Sequence, residues 1–379
     1  MVEADPAGGH QGERVSLRAT DPARPMHGDP DLHAPPAPGP QASRRLAPRD
    51  ARRARLALAP ALAIALSGWV DARMASAQPA PWPQRPLRFI VPFAPGGPLD
   101  VSARLIAQPL GAELQQPVLV DNRPGAGGST GAALAARAAP DGHTLLMGAL
   151  STHAVNPFLY PDVGYDAERD FAPVTLVARV PNVLVVHPGL KVESVAQLVA
   201  LARAKPGQLA YGSGGGGSGG HLAGALLAQR ARVELVHVPY KGAAPAMADL
   251  VAGRVPFMFD NLASALPQVK AGRVAALAVT SPARSRFLPE VPTMAEAGQP
   301  GFDITTWFGV FVPAGVPAPR VARLHSLVAG ILVQPGVRER MAGFGSDTEP
   351  LGPQAFAAFV RAERERYRTL VRDTGAKAD

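Results

Sequence analysis

The chain has 379 residues, no cysteine and a formal net charge of +8. Residues 1–77 hold 10 Lys+Arg against 8 Asp+Glu, giving +2, and residues 78–379 hold 28 against 22, giving +6. The missing cysteines exclude disulfides, thiolate metal sites, cysteine nucleophiles and a cysteine-linked lipid anchor, and the mild positive balance suits anionic ligands without forming the dense basic stripe of a nucleic-acid surface.

Residues 1–48 are rich in Pro, Gly and charge, and their composition predicts a disordered extension. Residues 49–77 have the layout of a secretory signal peptide. Arginines from Arg44 to Arg55 precede the apolar run Leu56–Val70, and Ala75-Ser-Ala77 forms a small-residue cleavage site before Gln78. The apolar run is shorter than the roughly 20 residues a bilayer core requires, and Pro60 interrupts it.

From Leu87 onward short apolar runs alternate with amphipathic ones. Leu87–Phe93 reads as a strand, Pro95-Gly-Gly-Pro98 as a tight loop, and Asp100–Leu114 as a helix with Val101, Leu105, Ile106, Leu110 and Leu114 on one side. Val118–Asp121 is the next strand, Gly128–Ala138 a small-residue helix, and Thr144–Met147 a third strand. The rhythm repeats with strands at 183–186, 209–211, 234–240, 255–259 and 275–279, separated by helical runs at 195–204, 222–229, 243–252 and 263–271. Two helices, about 319–342 and 353–374, finish the chain. Alternating strands and helices predict α/β lobes with mostly parallel sheets, and ligands of such sheets sit where strand ends meet helix starts.

Between Trp82 and Gly375 the sequence resembles the Bug family of periplasmic solute-binding receptors. The resemblance rests on Pro92–Asp100 (PFAPGGPLD), Asp121–Gly128 (DNRPGAGG), Ala139–Leu146 (APDGHTLL), His237–Gly242 (HVPYKG), Met258–Asn261 (MFDN), Leu277–Ser281 (LAVTS), Leu288–Gly298 (LPEVPTMAEAG) and Trp307–Gly309 (WFG). It implies a type II periplasmic-binding fold, two α/β lobes joined by two crossover strands with a ligand cleft between them. By analogy one lobe comprises 82–182 plus 306–379 and the other 183–305. The implied function is capture of a small carboxylate for a tripartite tricarboxylate transporter. A dicarboxylate, a citrate-like acid, an acidic amino acid and an aromatic acid all fall within the implied range. The partners would be membrane permease subunits or a sensor protein, with a monomeric receptor in the periplasm, no cofactor and no catalysis.

Ligand contacts are expected on loops between strand ends and helix starts. Gly96 and Gly97 let the backbone approach a ligand, and the helix that follows offers unpaired N–H groups to a carboxylate. Gly97 is expected to need an unusual backbone angle. Asp100 is either a ligand contact or a helix cap, and Phe93 either covers the ligand or belongs to the core. Ser151 and Thr152 either complete the same anion pocket or form a structural turn, while His153 reads as a hydrogen-bonded structural residue. In the second lobe Ser213, Gly215 and Ser218 belong to the loop Ser213–His221, which supplies N–H and hydroxyl donors. Asp260 follows a strand and is either the one acid that meets the ligand or a helix cap.

Competing motifs are weaker. Gly214-x-Gly216-x-x-Gly219 fits a dinucleotide fingerprint, but the acid that fingerprint needs near the end of the next strand is missing, since Glu234 begins it. Gly216-x-Ser218-x-Gly220 and Gly127-x-Ser129-x-Gly131 both fit a hydrolase elbow, as chance allows in a glycine-rich chain. The nine histidines are scattered, with no pair at metal-ligand spacing.

Overall fold

A computed structural model of the chain describes residues 82–378. The extension expected at 1–48 and the leader expected at 49–77 lie outside the described residues. The first strands and helices are β1 (Leu87–Val91), α1 (Pro98–Leu114), β2 (Val118–Asn122), α2 (Ser129–Ala136) and β3 (Thr144–Ala149). β1 lies between β2 and β3, and both pairings are parallel. The helix α1 forms because Leu99, Ala103, Ile106, Ala107, Leu110 and Leu114 share one buried face. Pro98 occupies its first turn, where a missing N–H costs nothing, and Gln115 ends it in a left-handed conformation.

A π-helical turn at Ser151–Val155 and the short helix α3 (Asn156–Leu159) lead to β4 (Phe171–Val186), a strand of 16 residues. Next come α4 (Val195–Ala204), β5 (Leu209–Ser213), α5 (Gly219–Ala231), β6 (Leu235–Pro239), α6 (Ala243–Val251), β7 (Phe257–Asn261), α7 (Leu262–Lys270) and β8 (Ala275–Val279). The chain returns through β9 (Thr305–Pro313) and finishes with α8 (Ala318–Leu332), α9 (Pro335–Gly343), β10 (Asp347–Thr348) and α10 (Pro353–Thr374).

The strand order is β2-β1-β3-β9-β4-β7-β5-β6, with β8 and β10 also paired to β4. The long strand β4 serves two half-sheets. It runs antiparallel to β9 as far as Pro181, then antiparallel to β7 from Asn182 and to β8 from Val183. The chain belongs to the α/β class, with a two-lobed sheet architecture. Alternate residues of the central strands enter opposite cores: Phe89, Val91, Val183 and Val185 pack on one side, and Ile90, Leu184 and Val186 on the other. Helices on both sides make these strands read as continuous apolar runs.

Three features differ from the sequence reading. The expected strand at 183–186 begins twelve residues earlier, at Phe171. Pro173 and Pro181 argue against a long strand, but register shifts between Pro173 and Thr175 and between Leu176 and Ala178 accommodate the first of them. The strand β9 has no counterpart in the sequence reading, where Trp307–Gly309 enters only as a motif of the resemblance. The helix expected over about 319–342 is two helices, because Pro335 cannot continue a helical ladder and instead starts α9.

Candidate functional site

Four helix N-termini converge on one small cavity between the half-sheets. Gly97–Leu99 bring the start of α1, Ser218–Gly220 that of α5, Ala243 that of α6, and Asp260–Asn261 the approach to α7. Phe93, Leu150, Ser151, Gly214 and Thr306 complete much of the wall. The cavity encloses about 40 Å³. Among the described residues no lysine or arginine lines it, so backbone N–H groups and helix dipoles are the sources of positive potential on its wall.

The two sides are closed on each other. The Ala94 N–H, after β1, donates to the Lys241 carbonyl, after β6, at 3.0 Å. A Cβ built on Gly127 would overlap the Gly216 carbonyl oxygen, and one on Gly217 would overlap Asn156 Oδ1. These glycines allow backbone from opposite half-sheets to touch. At the base, Asn182 on β4 donates through Nδ2 to the Ile304 carbonyl at 3.2 Å and to Thr306 Oγ1 at 3.1 Å. Thr280 Oγ1 accepts from the Asn182 N–H at 3.0 Å and donates to the Ile304 carbonyl at 2.6 Å. This buried network ties the two strands that cross between the half-sheets.

The residues singled out from sequence divide into two groups. Phe93, Gly97, Ser151, Ser218 and Asp260 line the cavity. Ser218 also caps α5, its Oγ accepting from the His221 N–H at 3.2 Å. Gly96, Asp100, Thr152, Ser213 and Gly215 shape the loops behind it. Asp100 is buried and accepts from the Gly96 N–H at 2.9 Å, from Asn122 Nδ2 at 3.0 Å and from Arg104. Burial pushes its carboxyl up, but bonds from Arg104, the Gly96 N–H and Asn122 outweigh that and hold it below the ordinary carboxylate range. The first-loop glycine with positive φ is Gly96, at +82°. Gly97, the N-cap of α1, is extended at φ −80° and does not need the unusual angle expected of it.

Thr152 Oγ1 accepts from the Ala149 N–H at 3.0 Å and lies 2.9 Å from His153 Nδ1, which ties its hydroxyl to the end of β3. His153 is buried and stacked on Phe311 with ring centroids 3.8 Å apart, and burial pushes it down to about 3. Ser213 Oγ accepts from the Gly215 N–H at 3.1 Å and is 2.7 Å from His237 Nε2. Gly215 has φ +116°, and a Cβ there would sit 2.7 Å from the Tyr240 carbonyl oxygen. The two serines of the elbow-like motifs have structural bonds: Ser218 is a cap, and Ser129 Oγ accepts from Asn156 Nδ2 at 2.9 Å.

Among the described residues Asp260 is the only ionisable side chain on the cavity. Its Oδ1 accepts from the Asn261 N–H at 2.8 Å and its Oδ2 from the Ser264 hydroxyl. Burial raises its pKa to about 7 despite the bonds from Ser264 and the Asn261 N–H. Sequence reasoning missed Asn261, Gly219, Gly220, Ala243 and Thr306 as lining residues. Asn261 and Thr306 had a signal: they adjoin Asp260 and the Trp307-Phe-Gly309 motif.

Comparisons with known proteins agree in kind. A family model described as the tripartite tricarboxylate transporter family receptor matches residues 102–376. Protein BugT of Bordetella pertussis is 39% identical over 297 residues, covering 78% of this chain and 91% of that protein. A solved structure of R. palustris Rpa4515 with adipate superposes with a TM-score of 0.76 at 39% identity, covering 79% of this chain and all of that one. MatC from Rhodopseudomonas palustris with bound malate gives 0.74 at 35%, covering 76% of this chain and all of that one.

Proposed function

The chain belongs to the tripartite tricarboxylate transporter receptor family, and from that membership we propose that it is a periplasmic receptor for a small organic dicarboxylate, which it delivers to membrane permease subunits. The observation that carries the ligand class is the convergence of four helix N-termini, without a lysine or arginine, on one cavity. Such a site binds anions through backbone N–H groups. Each hydrogen bond to a charged group contributes about 1.5–3 kcal/mol, so a few per carboxylate support micromolar binding, about −8 kcal/mol. Adipate and malate, the acids bound by the two similar structures, are both dicarboxylates. The lobes in this reading are 82–182 plus 306–379 and 183–305, and the receptor acts as a monomer without chemistry of its own. The leader expected at 49–77 places it in the periplasm, and among the described residues no helix is long and apolar enough to cross a membrane. The contacts between the two sides close the cavity off, so a diacid enters only when the lobes part, and capture is coupled to hinge motion about β4 and β9.

Calorimetry with adipate, malate, glutamate and benzoate tests this reading. At least one dicarboxylate should bind at micromolar strength and none should be turned over. Gly97→Val should abolish that binding in a folded protein. Its Cβ has ordinary space, 3.8 Å from the Ala94 carbonyl oxygen and 4.0 Å from Ala244 N, while its methyls intrude on the cavity. Wild-type affinity in a folded Gly97→Val variant, or no binding by any of the four acids, sinks the proposal.

A further inference from the structure

A second, roomier cavity lies beside the cleft and is built from both lobes. It encloses about 480 Å³ and shares only Pro98 with the lining of the cleft cavity. One wall is the stripe Ala244, Met247, Ala248 and Val251 of α6, whose spacing of three and four puts them on one face. Val101 of α1, Met341 of α9 and Phe344 just beyond it form the opposite wall. The partition between the cavities is the hydrogen-bonded pair Asp260 and Ser264, with Asp260 facing the cleft and Ser264 facing this space.

Two polar features single it out from a packing defect. Arg273 lines the cavity, is exposed, and among the described residues its guanidinium is in no salt bridge. Gln268, also on the wall, has a buried Oε1 with no partner among the described residues. The unpartnered amide oxygen calls for a donor and marks this wall as polar without itself holding an anion, and a cation beside an apolar wall is what an amphipathic anion requires. The volume falls within the roughly 300–1,000 Å³ of small-molecule pockets.

We propose that this cavity is a second ligand site, for an amphipathic organic anion with an alkyl or aryl body and one carboxylate. The body lies against Met247, Val251, Met341 and Phe344, and the carboxylate pairs with Arg273. The class differs from that of the cleft, where the walls offer N–H groups and little apolar depth. Because the walls belong to both lobes, the occupant binds the closed arrangement.

The test uses octanoate as probe on the whole protein, by calorimetry and saturation-transfer NMR without any cleft ligand, so that it reads independently of the function proposed above. Octanoate should bind, octylamine should not, and Arg273→Glu and Ala248→Trp should each weaken octanoate about tenfold or more. Both positions are exposed, so both variants should fold, which melting curves check. Two substitutions on different elements keep the test decisive if one variant is unstable. The site is overturned if octanoate fails to bind, if octylamine binds equally well, or if the folded variants, whose positions line this cavity and not the cleft, bind octanoate like wild type.

Discussion

If the cavity takes an anion as proposed, an acid on its wall is a conflict that Asp260 resolves through its environment. It faces the cleft cavity, no Lys or Arg among the described residues lines that cavity, and burial lifts its pKa from 3.8 to about 7. Near neutral pH a large fraction is therefore protonated and able to donate a hydrogen bond to a ligand carboxylate or hydroxyl. Above that, an ionised Asp260 repels a dianion. Affinity for adipate or malate should thus fall as the pH rises through about 7, and Asp260→Asn, which keeps the shape and stays neutral, should flatten that dependence. Stability follows the same titration. The folded-state value lies above the unfolded one, so the contribution of this group is fully present below about 3.8 and is lost as the pH rises through about 7. Relative to wild type, Asp260→Asn should therefore gain stability between pH 5 and pH 8, by up to about 3 kcal/mol. Urea denaturation at the two pH values reads this directly, and an equal difference at both would mean that Asp260 does not titrate there.

The start of α5 combines a helix cap with a place on the cavity wall. Ser218 caps it through the His221 N–H, and Ser218→Ala should cost about 1 kcal/mol of stability. Gly220, two residues on, lies against β7, where a Cβ would overlap the Phe259 carbonyl oxygen. A backbone atom cannot swing aside as a side chain does, so Gly220→Ala should cost more than the cap, about 1–3 kcal/mol. Denaturant unfolding of the two variants gives the order, and a Gly220→Ala protein as stable as wild type would mean that α5 does not sit where described. The same region shows what the sequence could and could not disclose. Strands such as β1 and β3 were legible because both faces are buried and the residues read as apolar runs, and α1 was legible from its 3–4 spacing. The first twelve residues of β4 were not, since its prolines mimic a loop and only the pairing with β9 makes most of that stretch a strand. At the site, the positions of the loops followed from strand-to-helix order alone. Which atoms face the cavity did not, because it depends on which hydroxyls are already engaged. Thr152 and Ser213 look as available as Ser151 in the sequence, yet their bonds to the Ala149 and Gly215 N–H groups turn them into loop structure.

For the molecule as a whole the proposed function turns on the balance between closed and parted lobes, and the contact of Ala94 with Lys241 and Gly242 is where a small change should tip it. The Ala94 N–H donates to the Lys241 carbonyl, and a Cβ on Gly242 would sit 3.3 Å from Ala94 N and 3.6 Å from the Ala94 and Phe93 Cβ atoms. Gly242 also has φ +139°, a region that L residues rarely adopt. An alanine there therefore carries two penalties of different kinds. The backbone strain is local to the loop before α6 and weighs on both arrangements, so it lowers stability without shifting the balance between them. The crowding against Ala94 exists only when the lobes are closed, so it acts on ligand affinity, which depends on the population of the closed form. Gly272→Ala isolates the first penalty: it has φ +67° and nothing within 4 Å of its Cβ. Both variants should lose about 1 kcal/mol or more of stability. Only Gly242→Ala should bind adipate or malate about three- to tenfold more weakly and compact less on ligand addition in small-angle scattering. If Gly242→Ala closes and binds like wild type, or if Gly272→Ala loses affinity to the same degree, the contact between Ala94 and Gly242 does not govern closure.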